Sequence, residues 1–190
     1  MSVVNPTREE AWSLFREFNQ SEPLIKHALA VEAVMRFIAR KHGESEKKWG
    51  VIGLLHDLDY ERFPEEHCAK NTEILRARGW PEEYIRAIAS HGWKLRDYLD
   101  EEPLSRLEKT LYAVDELTGL VTASALVRPS KSVADLEVSS VIKKWRQKSF
   151  AASVNRDVIR FGVERLGVSL EELVKDVIAG MREAAPGLGL

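Results

Sequence analysis

The sequence predicts an all-α bundle of about eight or nine helices, and three observations carry that reading. Apolar residues recur at three- and four-residue steps along most of the chain. Ser, Thr, Pro and Gly stand where helices should start and stop. No run shows the strict alternation of a half-buried strand.

Thr7 with Glu10 has capping-box spacing and opens a helix carrying Trp12, Phe15 and Phe18. Pro23 starts a longer helix with Leu24, Ala28, Val31, Met35 and Ile38 on one face, and Gly43 stops it. Ser45 caps EKKWGVIGLLHD, which is apolar along its second half and therefore expected at the centre. Pro64 breaks the loop that follows. EEHCAKNTEILRAR reads as a helix opened by His67 and closed by Gly79, and PEEYIRAIASH as one closed by Gly92. A long helix spans about Pro103 to Val127, followed by the irregular connector VRPSKSVADLE. LEVSSVIKKWRQ and NRDVIRFGVERL give two more helices, and Ser169 with Glu172 caps the last. The tail APGLGL is expected to fray.

A chain of 190 residues, 44% hydrophobic and 31% charged, is expected to form a single domain over residues 1–190 with a sizeable core. A formal net charge of −2 gives no global attraction to nucleic-acid polymers or anionic membranes. No apolar run is long enough to span a bilayer, and MSVVNPTREE lacks the charged and apolar regions of a signal peptide, so a cytoplasmic chain is expected. The single cysteine, Cys68, excludes an internal disulfide framework and a Cys-based zinc cluster. Trp80 and Trp93 fit a pocket, an interface between copies in a homo-oligomer, or the core.

Five histidines occur. His42 sits beside Lys41 and Gly43 at a helix end, where a cation favours the dipole, and is read as a surface residue. His27, His56 and His91 lie among apolar residues, and His67 stands near the start of a helix; any one of them alone is ordinarily a hydrogen-bonded structural residue. Jointly they mean more. His56-Asp57 ends an apolar helix, where exposed carbonyls disfavour a carboxylate, and Asp59 adds charge nearby. Asp115 lies within a largely apolar helix, where an unpaired carboxylate is costly. Carboxylates so placed call for a compensating cation, and imidazoles with carboxylates are the ligand set of Mn, Fe, Co, Ni or Zn.

The ordered pattern His27, His56-Asp57, Asp115 resembles the HD-domain superfamily of metal-dependent phosphohydrolases over about residues 20–125. The resemblance implies an HD-domain helical bundle, with residues 126–186 as a helical extension. It implies one or two divalent transition metal ions held by His27, His56, Asp57 and Asp115, with His56 and Asp57 at the catalytic centre. EEHCAKNTEILRARGWPEEYIRAIASHG resembles the segment of two-metal members in which His67 and His91 would bind a second ion and Asp57 would bridge the pair. After His56-Asp57 the chain reads Leu-Asp-Tyr where the cyclic-di-GMP phosphodiesterase relatives have Ile-Gly-Lys, and their Gly-Tyr-Pro element is absent, which disfavours a cyclic dinucleotide. Asp59 and Tyr60 are read either as groups orienting a histidine or water, or as a solvated turn.

A site of this kind activates water and polarises a phosphoryl oxygen. The expected reaction is hydrolysis of a small, nucleotide-like phosphate ester; prevalence within the superfamily favours hydrolysis over oxygenation. Further cations for the phosphate would come from Lys70, Arg128, Lys131, Lys144, Lys148 and Arg156, and a proton for the leaving group from Glu61, Asp59 or water. Two rival readings use the same ligands: a mixed-valent di-iron oxygenase, which the superfamily also contains, and a regulatory module that keeps the metal without catalysis.

Overall fold

The computed structural model describes residues 5–95 and 99–190; the first four residues of the stretch read as lacking a signal peptide lie outside it. Among the described residues the protein is all-α, with nine α-helices, two short 3-10 turns and no strand. In chain order the helices are α1 (Arg8–Phe18), α2 (Glu22–Lys41), α3 (Glu46–Leu55), α4 (Ala69–Ala77) and α5 (Glu82–Ala89). They continue with α6 (Arg106–Leu126), α7 (Val138–Trp145), α8 (Arg156–Leu166) and α9 (Leu170–Leu188). The 3-10 turns cover Pro64–Glu66 and Ser90–Gly92.

The caps follow the sequence. Thr7 and Ser169 close capping boxes with Glu10 and Glu172, and Ser45 accepts the amide of Lys48. His42 caps α2 at its exposed carboxyl end. A further capping box, Ser105 with Glu108, starts α6 a little after Pro103.

Helix α2 is the spine, packing most extensively on α3 and α9 and more lightly on α6. Its buried stripe of Val31, Val34, Met35 and Ile38 joins the wholly buried Ile52, Leu54 and Leu55 of α3 in one hydrophobic core. Burying each such side chain is worth about 1.5–3 kcal/mol. The α2–α9 contact is close enough to require glycine: a Cβ at Gly180 would stand 2.7 Å from Val34 Cα. Helix α6 rests on α8 and on the 3-10 turn Ser90–Gly92, which brings the middle of α6 beside His91.

Two expectations are corrected. The segment from Glu65 to Cys68 is not part of α4; a 3-10 turn over Pro64–Glu66 leads into His67 in an extended conformation, and α4 begins only at Ala69. The reason is Asp59, whose two carboxylate oxygens take the amide of Asn71 and the Nδ1 proton of His67, so that side-chain contacts shape the entry to α4. Cys68 takes a positive φ of 68° there, a strained conformation for a residue with a Cβ. The tail does not fray either: α9 runs through Pro186 to Leu188, whose side chain is buried against the core.

Candidate metal centre

Five separate elements deliver the ligand candidates. His27 projects from the second turn of α2, and His56-Asp57 forms the cap of α3. His67 precedes α4, His91 lies in the 3-10 turn after α5, and Asp115 sits midway along α6. Two buried asparagines brace the turn that carries His56 and Asp57. Asn71 Nδ2 donates to the carbonyls of Leu55 and His56 at 2.8 and 2.7 Å, and Asn19 Nδ2 donates to that of Leu58 at 2.8 Å.

All six residues converge. His27 Nε2 lies 3.2 Å from His56 Nε2 and 3.0 Å from Asp115 Oδ1. Asp57 Oδ2 faces this group, 3.3 Å from His56 Nε2 and 3.7 Å from His27 Nε2. Its other oxygen, Oδ1, faces His67 Nε2 at 3.3 Å and His91 Nε2 at 3.6 Å, and those two nitrogens are 3.1 Å apart. Asp57 thus stands between two clusters and gives one oxygen to each. Bonds of about 2.1 Å to a tetrahedral or octahedral ion put neighbouring ligand atoms about 3.0–3.4 Å apart, close to these separations.

The ring orientations fit a metal as well. His56 Nδ1 donates to the Gly53 carbonyl at 2.8 Å, His91 Nδ1 donates to that of Ile88, and His67 Nδ1 donates to Asp59 Oδ1 at 2.7 Å. Each bond consumes Nδ1 and leaves Nε2 for the centre, the arrangement by which outer partners orient metal-binding imidazoles. Among the described residues, no lysine or arginine pairs with Asp57 or Asp115.

Electrostatics gives the same answer. In the metal-free protein burial opposes a charge on His56, but the carboxylates of Asp57 and Asp115 outweigh it and raise the ring to about 10. Burial opposes charge on His67 too, and the hydrogen bond to Asp59 raises it to about 9. Asp57 and Asp115 are held well below the usual carboxylate range: burial disfavours their charge, and the neighbouring imidazoles, His56 foremost, override it. The carboxylates demand positive charge. Protons supply it by consuming the ring lone pairs, whereas a divalent ion supplies it and uses them.

A cavity of about 350 Å3 opens over the centre, walled by Leu24, Tyr60, Trp93, Leu95, Glu116 and Val154 among others. Asp59 is fully buried behind His67, and Tyr60 is 44% exposed with its ring edge-on to His67, so the solvated-turn reading holds for neither in full. Trp93 is buried against Tyr112 and Phe161 as well as walling the cavity, while Trp80 is half-buried on the core.

The six cations proposed for the phosphate are not brought to this cavity. Lys70 pairs with Glu73 and Glu66, Arg128 pairs with Asp135, and Lys144 lies over the Phe150 ring. Lys131 and Lys148 are exposed. Arg156 donates to the carbonyls of Trp145, Gln147, Phe150, Ala151 and Val154, tying the α7–α8 connection together. Glu61 also turns away, accepting the amides of Gln20 and Ser21 ahead of α2.

Sequence reasoning passed over three residues at the site. Glu116 lines the cavity, and burial, with Asp115 second, pushes its carboxyl above the usual range. Asn71 braces the centre from behind. Cys68 Sγ lies 3.7 Å from His91 Nε2 and groups with His67 and His91 as a set of metal-capable atoms. A second acid beside Asp115 was the available signal for Glu116; the other two depend on chain reversals that periodicity does not encode.

The HD-domain family model matches residues 24–120, more than half of the chain and the segment that carries all six residues. The chain belongs to the HD-domain family. The all-α architecture is that of an HD-domain bundle, and the matched segment contains His56-Asp57. No solved structure matches the chain significantly. No helix among the described residues is long and apolar enough to cross a membrane.

Proposed function

We propose that this HD domain is a metal-dependent phosphohydrolase that cleaves a small phosphate ester with water. One observation carries the reading: Asp57 divides its two oxygens between the His27, His56, Asp115 cluster and the His67, His91 pair. That arrangement suits two divalent ions bridged by a carboxylate, with His27, His56, Asp57 and Asp115 holding one and Asp57, His67 and His91 the other. Two such ions, when bound, lower the pKa of water and neutralise charge on a phosphoryl group.

The protein's own contribution is positioning. Asp59 and the carbonyls of Gly53 and Ile88 hold three imidazoles in register, and Asn19 and Asn71 hold the turn that carries His56 and Asp57. Leu24, Trp93 and Val154 give the cavity an apolar side beside the centre. The water oxygen bonds to phosphorus, the phosphorus–oxygen bond to the alcohol breaks, and the alcohol departs with a proton that originates in the water. We assign the metal-binding core to about residues 20–125 and the supporting extension to residues 126–186.

Elemental analysis of the purified protein, followed by phosphate-release assays over a panel of esters with the metal found, tests the reading. The expected result is about two ions per chain, as the bridged geometry requires, together with phosphate release. Iron without release from any ester would replace hydrolysis with oxygenase chemistry, and bound metal with neither activity would leave a regulatory module.

A further inference from the structure

A second cavity of about 560 Å3 adjoins the chamber over the metal centre, and the two share His27 and Gly119 in their walls. It lies between α2 and α6, walled by Pro23, Ala30, Thr122, Ala123 and Leu126, with Leu188 of α9 at its end. Its charged wall residues, Glu22 and Lys26, are paired with each other at 2.8 Å. Its volume falls in the range of small-molecule sites.

The two cavities meet at His27 and Gly119. Gly119 contributes no side chain, and a Cβ there would meet only Val154 Cγ2, at an ordinary 3.6 Å. Glycine in the interior of a helix is unfavourable, and at this place it leaves backbone between two empty volumes. The first chamber is mixed, with Leu24, Trp93 and Val154 on its walls beside Tyr60, Glu116, Ser153 and the metal-centre residues, whereas the second is mainly apolar. Among the described residues, Lys26 is the one lysine or arginine that lines either space.

A nucleotide needs polar partners for its base and ribose, and each additional phosphate needs cationic donors. Among the described residues, neither cavity supplies those cationic donors beyond Lys26, which is paired with Glu22. Divalent ions, when bound, would neutralise a single phosphate, and a substituent reaching the second chamber would meet Pro23, Ala30, Ala123, Leu126 and Leu188.

We infer that the substrate is the monophosphate ester of an apolar alcohol, with its phosphate at the metal centre and its hydrocarbon chain passing Gly119 into the chamber between α2 and α6. This inference rests on the phosphohydrolase reading and narrows it. Hydrolysis transfers the phosphoryl group to water and releases the free alcohol with inorganic phosphate.

The test is a series of n-alkyl phosphates from ethyl to decyl, with adenosine monophosphate as the polar comparison, assayed for phosphate release by the metal-loaded full chain. Burial of a methylene tightens binding about fourfold, so kcat/KM should climb by that factor per carbon until the chamber is full. The Ala123→Phe variant should lower the ratio of octyl to ethyl kcat/KM by about tenfold or more, a ratio that partial misfolding does not alter. Phosphate release that is flat with chain length, or fastest with adenosine monophosphate, overturns the inference and leaves the hydrolase standing. No release from any ester overturns both.

Discussion

Asp59 Oδ1 accepts the Nδ1 proton of His67 at 2.7 Å, and the same carboxylate takes the amide of Asn71 through Oδ2 at 2.8 Å. One fully buried acid therefore fixes both which nitrogen of His67 faces the centre and where α4 begins. Replacing Asp59 by Asn keeps the size but removes the charge that holds the ring. Loss of such an outer partner weakens metal binding by about 10- to 100-fold, and the loss should fall on the His67–His91 position. Calorimetric titration should show one ion bound as before and one bound weakly; two unaltered binding events would remove Asp59 from this role.

Asp57 serves both clusters, so its loss should be felt in both. Asp57→Ala should lose phosphate release and most of its bound metal, read by elemental analysis after gel filtration. Unchanged metal content in that variant would rule out the bridging position.

The metal-free protein should have a characteristic dependence on pH. His56 and His67 are raised from about 6.5 in the unfolded chain to about 10 and about 9, so their stabilising contribution is complete below about pH 6.5 and is lost as pH rises through 9 to 10. Asp57 and Asp115 are depressed, so theirs is present above about pH 4 and is lost in acid. Thermal unfolding after chelation should show Tm falling from neutral pH toward pH 10, and metal reloading should remove most of that fall. A flat Tm over that range in the chelated protein would contradict the charge balance described for the centre.

Gly180 lets α9 sit against α2. In Gly180→Ala the new methyl would meet backbone, Val34 Cα at 2.7 Å, which cannot swing aside as a flexible side chain could. The helices must part, at a cost of about 1–3 kcal/mol, seen as a lower urea midpoint. A midpoint equal to or above that of the parent would show that the pair has slack.

Helix positions were legible because they rest on local rules: Thr7 with Glu10 and Ser169 with Glu172 announce helix starts that the structure reproduces. The convergence of His27, His56, Asp57, His67, His91 and Asp115 was legible only through family resemblance, since His27 and Asp115 are 88 residues apart. The six expected cations do not line the cavity, because a basic run specifies charge and not direction. Arg156 is spent on backbone carbonyls and Arg128 on Asp135, partners no local pattern names. The entry to α4 was missed because a carboxylate from another segment overrides helix propensity at His67 and Cys68.

The candidate ligands come from α2, the end of α3, the lead into α4, the turn after α5, and α6. An ion seated there ties together stretches that are distant along the chain, and it binds the folded form alone. Above saturation, each tenfold fall in free metal then removes about 1.4 kcal/mol of stability per ion, a large share of what holds a small protein folded. The protein's resistance to proteases should therefore follow metal supply, making its lifetime as well as its chemistry depend on the ion.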